Sequence, residues 1–545
     1  MKARASDNRI SVEQLTNLLG SDGGAVILCG AGVSMPAPSC SPSGNELRDL
    51  CVRVLVEDER TRTILAEIMK TTAYRGLLPE LVLQDIASFA SVQLDRLVAR
   101  VFQHVRPNPV HRVIASRFQC IFTTNFDLCL EKAGASFVHH LHGSIGLPDS
   151  LQNRLFRLGN KAIPEAMSFV DLARARRLVV LGYSFRDSDI IRLVEAACPA
   201  EVVYLSYDGS VPLWFQSTSV PWLYAVGSLE AVLGLTHSQR SSVSRKPDPE
   251  IRARKASLGA RVNILIYLCL RTGLYGLVDP ILEKHIGRLR GRFKYKALSN
   301  AANLLRLSAR YEESRRLCRK TLAYPSVKRE ENADVMSALT VIIGLCFLDE
   351  GHSNYREIES LFLEGLRLAD VYARYSKGRL PTDAYLVGGV IWKARILNNL
   401  GYLYATEGEH PKALRSYREA LEIKRRYSEE VGIAQTEVNM AVSLLHLGAA
   451  GEAAEYLKNA LHCMMKTPDF YVCRDALFYV LRAIPEVQII HSGCALEDFQ
   501  PIDDRTWRSL RRQLEDSGDA SMRMILNLLE EFRGILARIG WSSPS

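Results

Sequence analysis

The sequence predicts an α/β domain with a parallel sheet, followed by an all-α solenoid of helical repeats. Between residues 25 and 207, short apolar runs alternate with longer amphipathic segments, a pattern typical of strands covered by helices. Residues 237–255 are polar and contain two prolines, which indicates a linker. After residue 256 the strand signals stop and helix-period segments continue. We therefore expect a domain at 1–236, a linker at 237–255 and a helical domain at 256–545.

The composition is typical of a soluble globular protein. Its 545 residues are 47% hydrophobic and 24% charged, and a chain of this length exceeds one ordinary core. The apolar stretch at 262–270 is about half as long as a bilayer requires, so we expect no membrane span. The N-terminus does not resemble a signal peptide, and we expect a cytoplasmic protein. None of the 12 cysteines forms a C-x-x-C pair, so we expect no metal and no structural zinc.

The net charge of +9 is concentrated in the second half of the chain. Residues 1–236 contain 23 basic and 23 acidic residues, so the basic excess belongs to the rest of the chain, residues 237–545. Such charges most often form a solvated helix face. They also leave nucleic acid open as a partner, although we expect a protein partner first.

Four apolar runs predict buried strands of the sheet. They are short and rich in β-branched residues, and they lie at 25–29, 120–123, 178–181 and 201–206. A weaker run lies at 137–141, and the segment from about 45 to 117 is typical of helices. Glycine or polar residues lie at the end of each strong strand, where open parallel sheets bind ligands.

The first strand is followed by a glycine-rich turn of Gly30, Ala31, Gly32, Val33 and Ser34. Glycine permits a tight turn and a close approach of the backbone to a phosphate, and the amides of a following helix would donate to it. The full G-x-G-x-x-G pattern is not present. By itself, this glycine-rich segment is equally consistent with a nucleotide site and with a turn that binds no ligand.

Polar residues and one further glycine mark the ends of the other strands. They are Thr124, Asn125 and Asp127 after the second strand, His142 after the weak strand, Gly182 and Ser184 after the third strong strand, and Ser206 at the end of the fourth. Each of these polar residues can instead cap a helix or bond to loop amides. The residues alone therefore leave a structural role and a binding role both open.

The helical domain contains a repeated pattern that resembles the tetratricopeptide repeat. Its best copy has the spacing of Leu400, Gly401, Tyr404, Ala413, Tyr417 and Ala420. Similar frames run from Ala302 to Thr321, from Gly344 to Gly365 and from Ala441 to Ala460. We expect at least four helical hairpins stacked into a curved solenoid, whose concave face would grip a peptide or protein. The alternative is that the hairpins only hold an assembly together.

Taken in order, the strand ends resemble the NAD-binding motifs of the sirtuins. G-A-G-x-S, T-x-N-x-D, H-G and a strand ending in G-x-S follow one another in the sirtuin order over about residues 10–235. The resemblance implies a Rossmann-like sheet that cleaves the bond between nicotinamide and ribose in NAD. It implies that Asn125 and His142 are catalytic, with His142 as the general base. It also implies cofactor-binding roles for Gly30, Ala31, Gly32, Val33, Ser34, Thr124, Asp127, Gly182, Ser184 and Ser206.

The sequence also departs from the sirtuins that deacylate proteins. Between His142 and Leu178 there is no cysteine, so the zinc module of those enzymes is missing. The G-I-P-x-F-R run that follows G-A-G-x-S in deacylases is also replaced here. This variant resembles the sirtuin domains of bacterial anti-phage defence proteins, in which the domain hydrolyses NAD and a helical region senses infection.

The resemblance thus implies an NAD glycohydrolase that releases nicotinamide and ADP-ribose in abortive infection. We expect a homo-oligomer whose repeats meet a phage protein as the trigger, with NAD as substrate. Two alternatives stay open at this point. One is an NAD-dependent protein deacylase, and the other is a non-catalytic scaffold that binds NAD or ADP-ribose.

Overall fold

The computed structural model describes residues 8–235 and 255–460, with gaps at 22–23, 72–73, 76, 78, 148–155, 158–160, 163, 186–187, 210, 213, 380–385, 427–429, 450–451, 454 and 457–458. The chain divides into two compact units. The described residues of the first come from Met1–Val56, Leu78–Arg157 and Lys161–Ala256, and those of the second come from Glu57–Leu77 and Ser257–Ser545. The domain boundary predicted from the sequence, at residue 236, instead places residues 57–77 in the first domain. The predicted linker at 237–255 lies outside the described residues, except for Lys255.

The first unit is built on a six-stranded parallel sheet, as the sequence predicts. In chain order the strands are β1 (Val26–Cys29), β2 (Ile121–Thr123), β3 (Val138–His140), β4 (Phe156–Arg157), β5 (Lys161–Ala162), β6 (Arg177–Leu181), β7 (Glu201–Ser206) and β8 (Trp222–Val226). β4 and β5 form a separate antiparallel pair. The four strong predicted strands and the weak one are confirmed, whereas β4, β5 and β8 are additions to the predicted set.

The point at which the strand order reverses lies beside β1. The large sheet has the order β3-β2-β1-β6-β7-β8, so the order reverses between β1 and β6. Cys29, at the end of β1, lies opposite Thr123 of β2 on one side and Leu181 of β6 on the other. In open α/β sheets, ligands bind outside the carboxyl ends of the strands at such a reversal.

Helices cover both faces of this sheet, which explains the nearly continuous apolar runs of its strands. Leu28 of β1 packs in one core with Phe169, and Ile27 packs in another with Ile114. The helices up to residue 235 are α1 (Val12–Ser21), α2 (Gly44–Val56), α3 (Arg62–Lys70, in the second unit), α4 (Pro79–Phe102), α5 (Pro109–Arg117), α6 (Cys129–Lys132), α7 (Pro164–Ala173), α8 (Ser188–Ala197), α9 (Trp214–Ser217) and α10 (Leu229–Val232).

In the second unit, successive helices pair as hairpins. Its helices are α11 (Leu258–Thr272), α12 (Val278–His285), α13 (Gly291–Leu307), α14 (Tyr311–Leu322), α15 (Ala333–Asp349), α16 (Tyr355–Ser376), α17 (Trp392–Thr406), α18 (His410–Arg426) and α19 (Glu430–His446). The predicted repeat frames fall on α13–α14, α15–α16 and α17–α18, and the fourth frame begins in α19.

Small residues lie where the paired helices touch, as the repeat pattern requires. A Cβ atom on Gly401 would lie 2.5 Å from Cε1 of Tyr417, and one on Gly344 would lie 2.8 Å from Cε1 of Phe362. In the fourth frame, Ala441 and the other described positions are buried. Leu457 of that frame and the amphipathic stretch predicted at 522–539 lie outside the described residues.

One helix of the repeats is long and apolar enough to cross a membrane by length and composition. It spans Glu330–Asp349 and includes α15, and 61% of its apolar window is buried within the protein. This helix is longer than the apolar stretch at 262–270 on which the sequence-based expectation of no membrane span was based. Packing of α15 against α16, seen at the contact of Gly344 with Phe362, accounts for the apolar composition of this helix.

Candidate active site

The turns that follow β1 and β6 lie directly against each other. A Cβ atom on Gly30 would lie 2.5 Å from the carbonyl oxygen of Gly182, and one on Gly32 would lie 2.6 Å from Gly182 Cα. Gly182 has a φ of +63°, a left-handed conformation that glycine adopts without strain. The backbone contact between the two turns therefore requires all three glycines.

Hydrogen bonds join the two turns as well. The N–H of Gly30 donates to the carbonyl of Leu181 at 3.0 Å, and the N–H of Gly32 donates to the carbonyl of Gly182 at 2.9 Å. These two amides are occupied within the chain. Contact of Gly30, Gly32 and Gly182 with a dinucleotide stays a prediction.

The turn after β1 closes into a short 3-10 helix, Ala31–Val33. The amides of Val33 and Ser34 close this helix by donating to the carbonyls of Gly30 and Ala31. The next long helix, α2, begins only at Gly44. Within the described part of the chain, Ala31 is the residue of this turn whose amide has no intrachain acceptor. A helix start usually offers several free amides to a phosphate, whereas the described residues of this turn offer the amide of Ala31 alone.

Asn125 is held in place at the end of β2, where it is 8% exposed. Its backbone N–H donates to Thr123 Oγ1 at 3.1 Å, and the Thr123 hydroxyl donates to the carbonyl of Cys29 at 3.1 Å. Its side-chain Nδ2 donates to Ser34 Oγ at 3.0 Å. No described residue is hydrogen bonded to Asn125 Oδ1, so this oxygen can accept a hydrogen bond from a ligand or a water molecule.

The backbone carbonyl of Asn125 is held by His140. His140 Nδ1 lies 2.8 Å from the Asn125 carbonyl oxygen, and His140 Nε2 lies 2.7 Å from Glu131 Oε1. Both partners are acceptors, so both ring nitrogens donate. Burial alone lowers the pKa of His140, but the hydrogen bond and charge of Glu131, together with the Asn125 carbonyl, raise this pKa above its ordinary value.

Ser34 links Asn125 to a second histidine, His111, at the start of α5. Ser34 Oγ lies 2.9 Å from His111 Nε2, and both residues are fully buried. The N–H of Asn108 donates to His111 Nδ1 at 3.1 Å, so the ring proton is on Nε2 and is donated to Ser34. Burial lowers the pKa of His111 to about 4, although the charge of Asp127 opposes the shift. His111 is therefore neutral at physiological pH.

Asp127, His111 and Cys129 form a buried group of potential metal ligands. Their ligand atoms lie within 4.8 Å of one another. Asp127 Oδ1 accepts from the Cys129 amide at 3.0 Å, and Asp127 Oδ2 has no partner among the described residues. However, both nitrogens of His111 are engaged, and burial together with Asp127 raises the pKa of the Cys129 thiol. This arrangement does not fit a metal ion, and the predicted lack of a metal stays a prediction.

His142 is half-buried in the turn after β3. Two backbone hydrogen bonds join this turn to the one that contains Asn125. The N–H of Leu141 donates to Thr123 O at 2.8 Å, and the N–H of Ile145 donates to Phe126 O at 3.0 Å. The two residues expected to be catalytic therefore lie on adjoining turns at the carboxyl edge of the sheet.

The remaining predicted ligand residues occupy different environments at this edge. Thr124 is half-buried, and its amide continues the pairing of β2 with β1 by donating to the Cys29 carbonyl at 3.0 Å. Ser184 is exposed. Ser206 is 1% exposed, and its Oγ accepts from the Gly209 amide at 3.0 Å, so it closes the turn after β7. Their contact with NAD also stays a prediction.

Sequence reasoning missed His111 and His140. His140 is hydrogen bonded to the backbone carbonyl of Asn125, and His111 is hydrogen bonded to Ser34, which in turn holds the Asn125 carboxamide. Asn108, Pro109 and His111 begin α5 with a capping box in which histidine takes the place of the usual Glu or Gln. That substitution was a readable signal in the sequence. The sequence signal for His140 was weaker, because two adjacent histidines, His139 and His140, do not indicate which of them has a functional role.

Comparison with known proteins supports the helical repeats. The family model of the tetratricopeptide repeat matches residues 392–466, which contain the best predicted repeat. No curated protein matches the sequence. The resemblance to the sirtuins rests on the sequence motifs alone.

Three solved structures are similar to parts or most of the chain. BtubC from P. vanneervenii has 15% identity and a TM-score of 0.30, and the match covers 39% of this chain and 83% of that one. The Rap protein complexed with competence and sporulation factor has 12% identity and a TM-score of 0.35, over 52% of this chain and 76% of that one. A STAND-type signal transduction ATPase with a tetratricopeptide repeat sensor, from Pyrococcus horikoshii, has 10% identity and a TM-score of 0.26, over 97% and 94%.

These likenesses are too weak to assign a function. The family match identifies residues 392–466 as a tetratricopeptide repeat region. A unit with a parallel α/β sheet precedes this region in the chain.

Proposed function

We propose that this protein is an NAD glycohydrolase, which cleaves NAD to nicotinamide and ADP-ribose. The observation that carries the proposal is the placement of Asn125. Its carboxamide is fixed by Ser34, and its Oδ1 has no described partner, at the edge of the sheet where the strand order reverses. The motifs that resemble those of sirtuins support NAD as the ligand of this edge.

In the proposed reaction, the bond between the nicotinamide nitrogen and ribose C1′ breaks. The electron pair leaves with nicotinamide, which becomes neutral, and C1′ takes on oxocarbenium character. Water attacks C1′ while it donates a hydrogen bond to Asn125 Oδ1. This bond holds the water beside C1′, so the attack does not depend on a diffusional encounter. His142 accepts the proton of the water, directly or through a ribose hydroxyl. No metal takes part.

The test is NAD cleavage by the purified full-length protein and by Asn125→Ala and His142→Ala. We expect nicotinamide release to fall by about 10²–10⁴-fold in His142→Ala, the range typical of losing a group that accepts the proton, and by about 10²-fold in Asn125→Ala, which loses the group that positions the water. His139→Ala is the matched control, because His139 stacks on Phe122 at 4.7 Å and is not part of the Asn125 network. Wild-type rates in a folded Asn125→Ala or His142→Ala protein would refute the proposal.

The same assay separates the two alternatives when an acetylated peptide is added in parallel. NAD consumption that requires the peptide would identify a deacylase. NAD binding without any cleavage would identify a scaffold. Either result would overturn the proposed hydrolysis.

We further propose that the helical unit senses infection and controls the NAD-cleaving unit. Within the described residues, 57–77 are an excursion of the chain into the second unit, so the chain crosses between the units twice before its last crossing near residue 256. Asp58 and Arg261 form an ion pair that ties the excursion to the helical unit. A phage protein bound by the repeats of a homo-oligomer would then favour the active arrangement. In infected bacteria, cellular NAD should fall with the wild-type protein and not with Asn125→Ala.

A further inference from the structure

We propose that His111 is a positioning residue, which fixes the Asn125 carboxamide for catalysis through the hydroxyl of Ser34. The inference rests on the proposed NAD cleavage and names a residue that the sequence motifs do not include. His111 lies on α5, whereas Asn125 follows β2 and Ser34 follows β1. The three side chains therefore join three separate elements of the fold.

The direction of each hydrogen bond follows from the backbone. The N–H of Asn108 can only donate, so His111 Nδ1 accepts from it at 3.1 Å and the ring proton resides on Nε2. Nε2 then donates to Ser34 Oγ at 2.9 Å, and Asn125 Nδ2 donates to the same oxygen at 3.0 Å. Ser34 Oγ thus accepts from both sides. One N–H of Nδ2 is committed to Ser34, which fixes the orientation of the carboxamide, and Oδ1 is the acceptor that Asn125 offers to a ligand or water.

Burial makes the hydrogen-bond network of His111, Ser34 and Asn125 rigid. Ser34 and His111 are fully buried, and the Asn108 side chain is anchored as well, because its Nδ2 donates to the carbonyl of Val33 at 2.8 Å. The turn that contains Ser34 and the helix that contains His111 are therefore tied together independently of Asn125. A buried network whose members are all bonded restricts the rotamers of its side chains.

The two nitrogens of His111 have separable tasks. Nδ1 completes the capping box of α5 with Asn108, which is a contribution to stability. Nε2 holds Ser34, which is the proposed contribution to catalysis. Since the tasks belong to different atoms, two substitutions can remove one task at a time.

His111→Asn places an acceptor near the position of Nδ1 but does not reach Ser34. His111→Gln places a donor near the position of Nε2 but gives up the acceptor for the Asn108 amide. We expect His111→Asn to lower kcat by about 100-fold, the effect of a misplacement of about 1 Å, with KM for NAD changed less than about twofold. We expect His111→Gln to keep kcat within about threefold of wild type, with the lower unfolding midpoint of the two.

If His111 had only a structural role, the order of the two variants in activity would be reversed. The activity would then follow stability, and His111→Gln would be the less active variant. Equal loss of kcat in both variants, or no loss in either, would also overturn the proposal. His139→Gln serves as the control for replacing a histidine of the same unit.

Crystal structures of the wild-type protein and His111→Asn separate this inference from the proposed function. We expect the Asn125 amide to leave Ser34 Oγ in the variant, and an unmoved amide would overturn the inference. This result does not depend on NAD. If the wild-type protein cleaves no NAD, the proposed function fails, while the position of Asn125 still decides whether His111 holds it.

Discussion

Gly182→Ala is the substitution that most directly tests the contact between the turns after β1 and β6. Gly182 has a φ of +63°, and a Cβ atom there would lie 2.7 Å from Val33 N and 2.9 Å from Gly32 Cα. The left-handed conformation costs a residue other than glycine about 1–2 kcal/mol. The neighbouring atoms are backbone and cannot rotate away, so overpacking adds about 1–3 kcal/mol. We expect Gly182→Ala to destabilise the paired turns by about 2–5 kcal/mol.

Gly234→Ala is the matched control, because it isolates the conformational cost. Gly234 lies in the same unit with a φ of +69°, and a Cβ atom there would meet nothing within 4 Å. This variant should lose only about 1–2 kcal/mol. The difference between the two variants, about 1–3 kcal/mol, measures the contact between the turns.

Hydrogen exchange is the suitable assay, since a protein of two units need not unfold in one transition. Exchange of peptides that contain the Gly32 amide should be about 5- to 150-fold faster in Gly182→Ala than in Gly234→Ala, because 1.4 kcal/mol corresponds to a factor of ten. Equal exchange in the two variants would refute the argument that the turns depend on the absence of a Cβ at Gly182.

Two further predictions concern the repeats and the charge on His140. Gly401→Ala would place Cβ 2.5 Å from the buried Tyr417 ring, so its unfolding midpoint in urea should fall below that of Gly276→Ala, where nothing lies within 4 Å; equal midpoints would contradict this. His140 has a raised pKa when folded, so its stabilisation is complete below its ordinary pKa and is lost as pH rises through the raised value. Unfolding midpoints between about pH 6 and pH 9 should therefore decline more in wild type than in His140→Phe, and parallel curves would count against the ion pair with Glu131.

The strands of the sheet were predictable because their signal is local. β1, β2, β6 and β7 are short, buried and rich in β-branched residues, so composition alone indicated them. β8 was harder to predict although Trp222–Val226 is an apolar run, because it is an edge strand that is only partly buried and only Val226 in it is β-branched. The repeats were predictable for a related reason: a small residue and a larger one recur at the positions of Gly401 and Tyr417, and this pattern reflects a contact within one hairpin.

The assignment of residues 57–77 and the support of Asn125 depend on contacts between distant parts of the chain. Asp58 bonds to Arg261, which is 203 residues away in sequence, and no local pattern indicates that pairing. His111 and Ser34 are 77 residues apart, and the sequence around His111 indicates only a helix start. Likewise, Gly30 and Gly32 suggested a phosphate turn, whereas their contact with Gly182 became visible only when β1 and β6 were placed side by side.

The most direct test of the central claim is a crystal structure of full-length Asn125→Ala, in which turnover is expected to be slowed, with NAD bound. The account predicts that the nicotinamide ribose lies at the Ala side chain and beside His142, and that the diphosphate lies by the turns after β1 and β6. NAD bound elsewhere on the protein, or no NAD bound by a correctly folded chain, would contradict the claim that this edge of the sheet is an NAD-cleaving site.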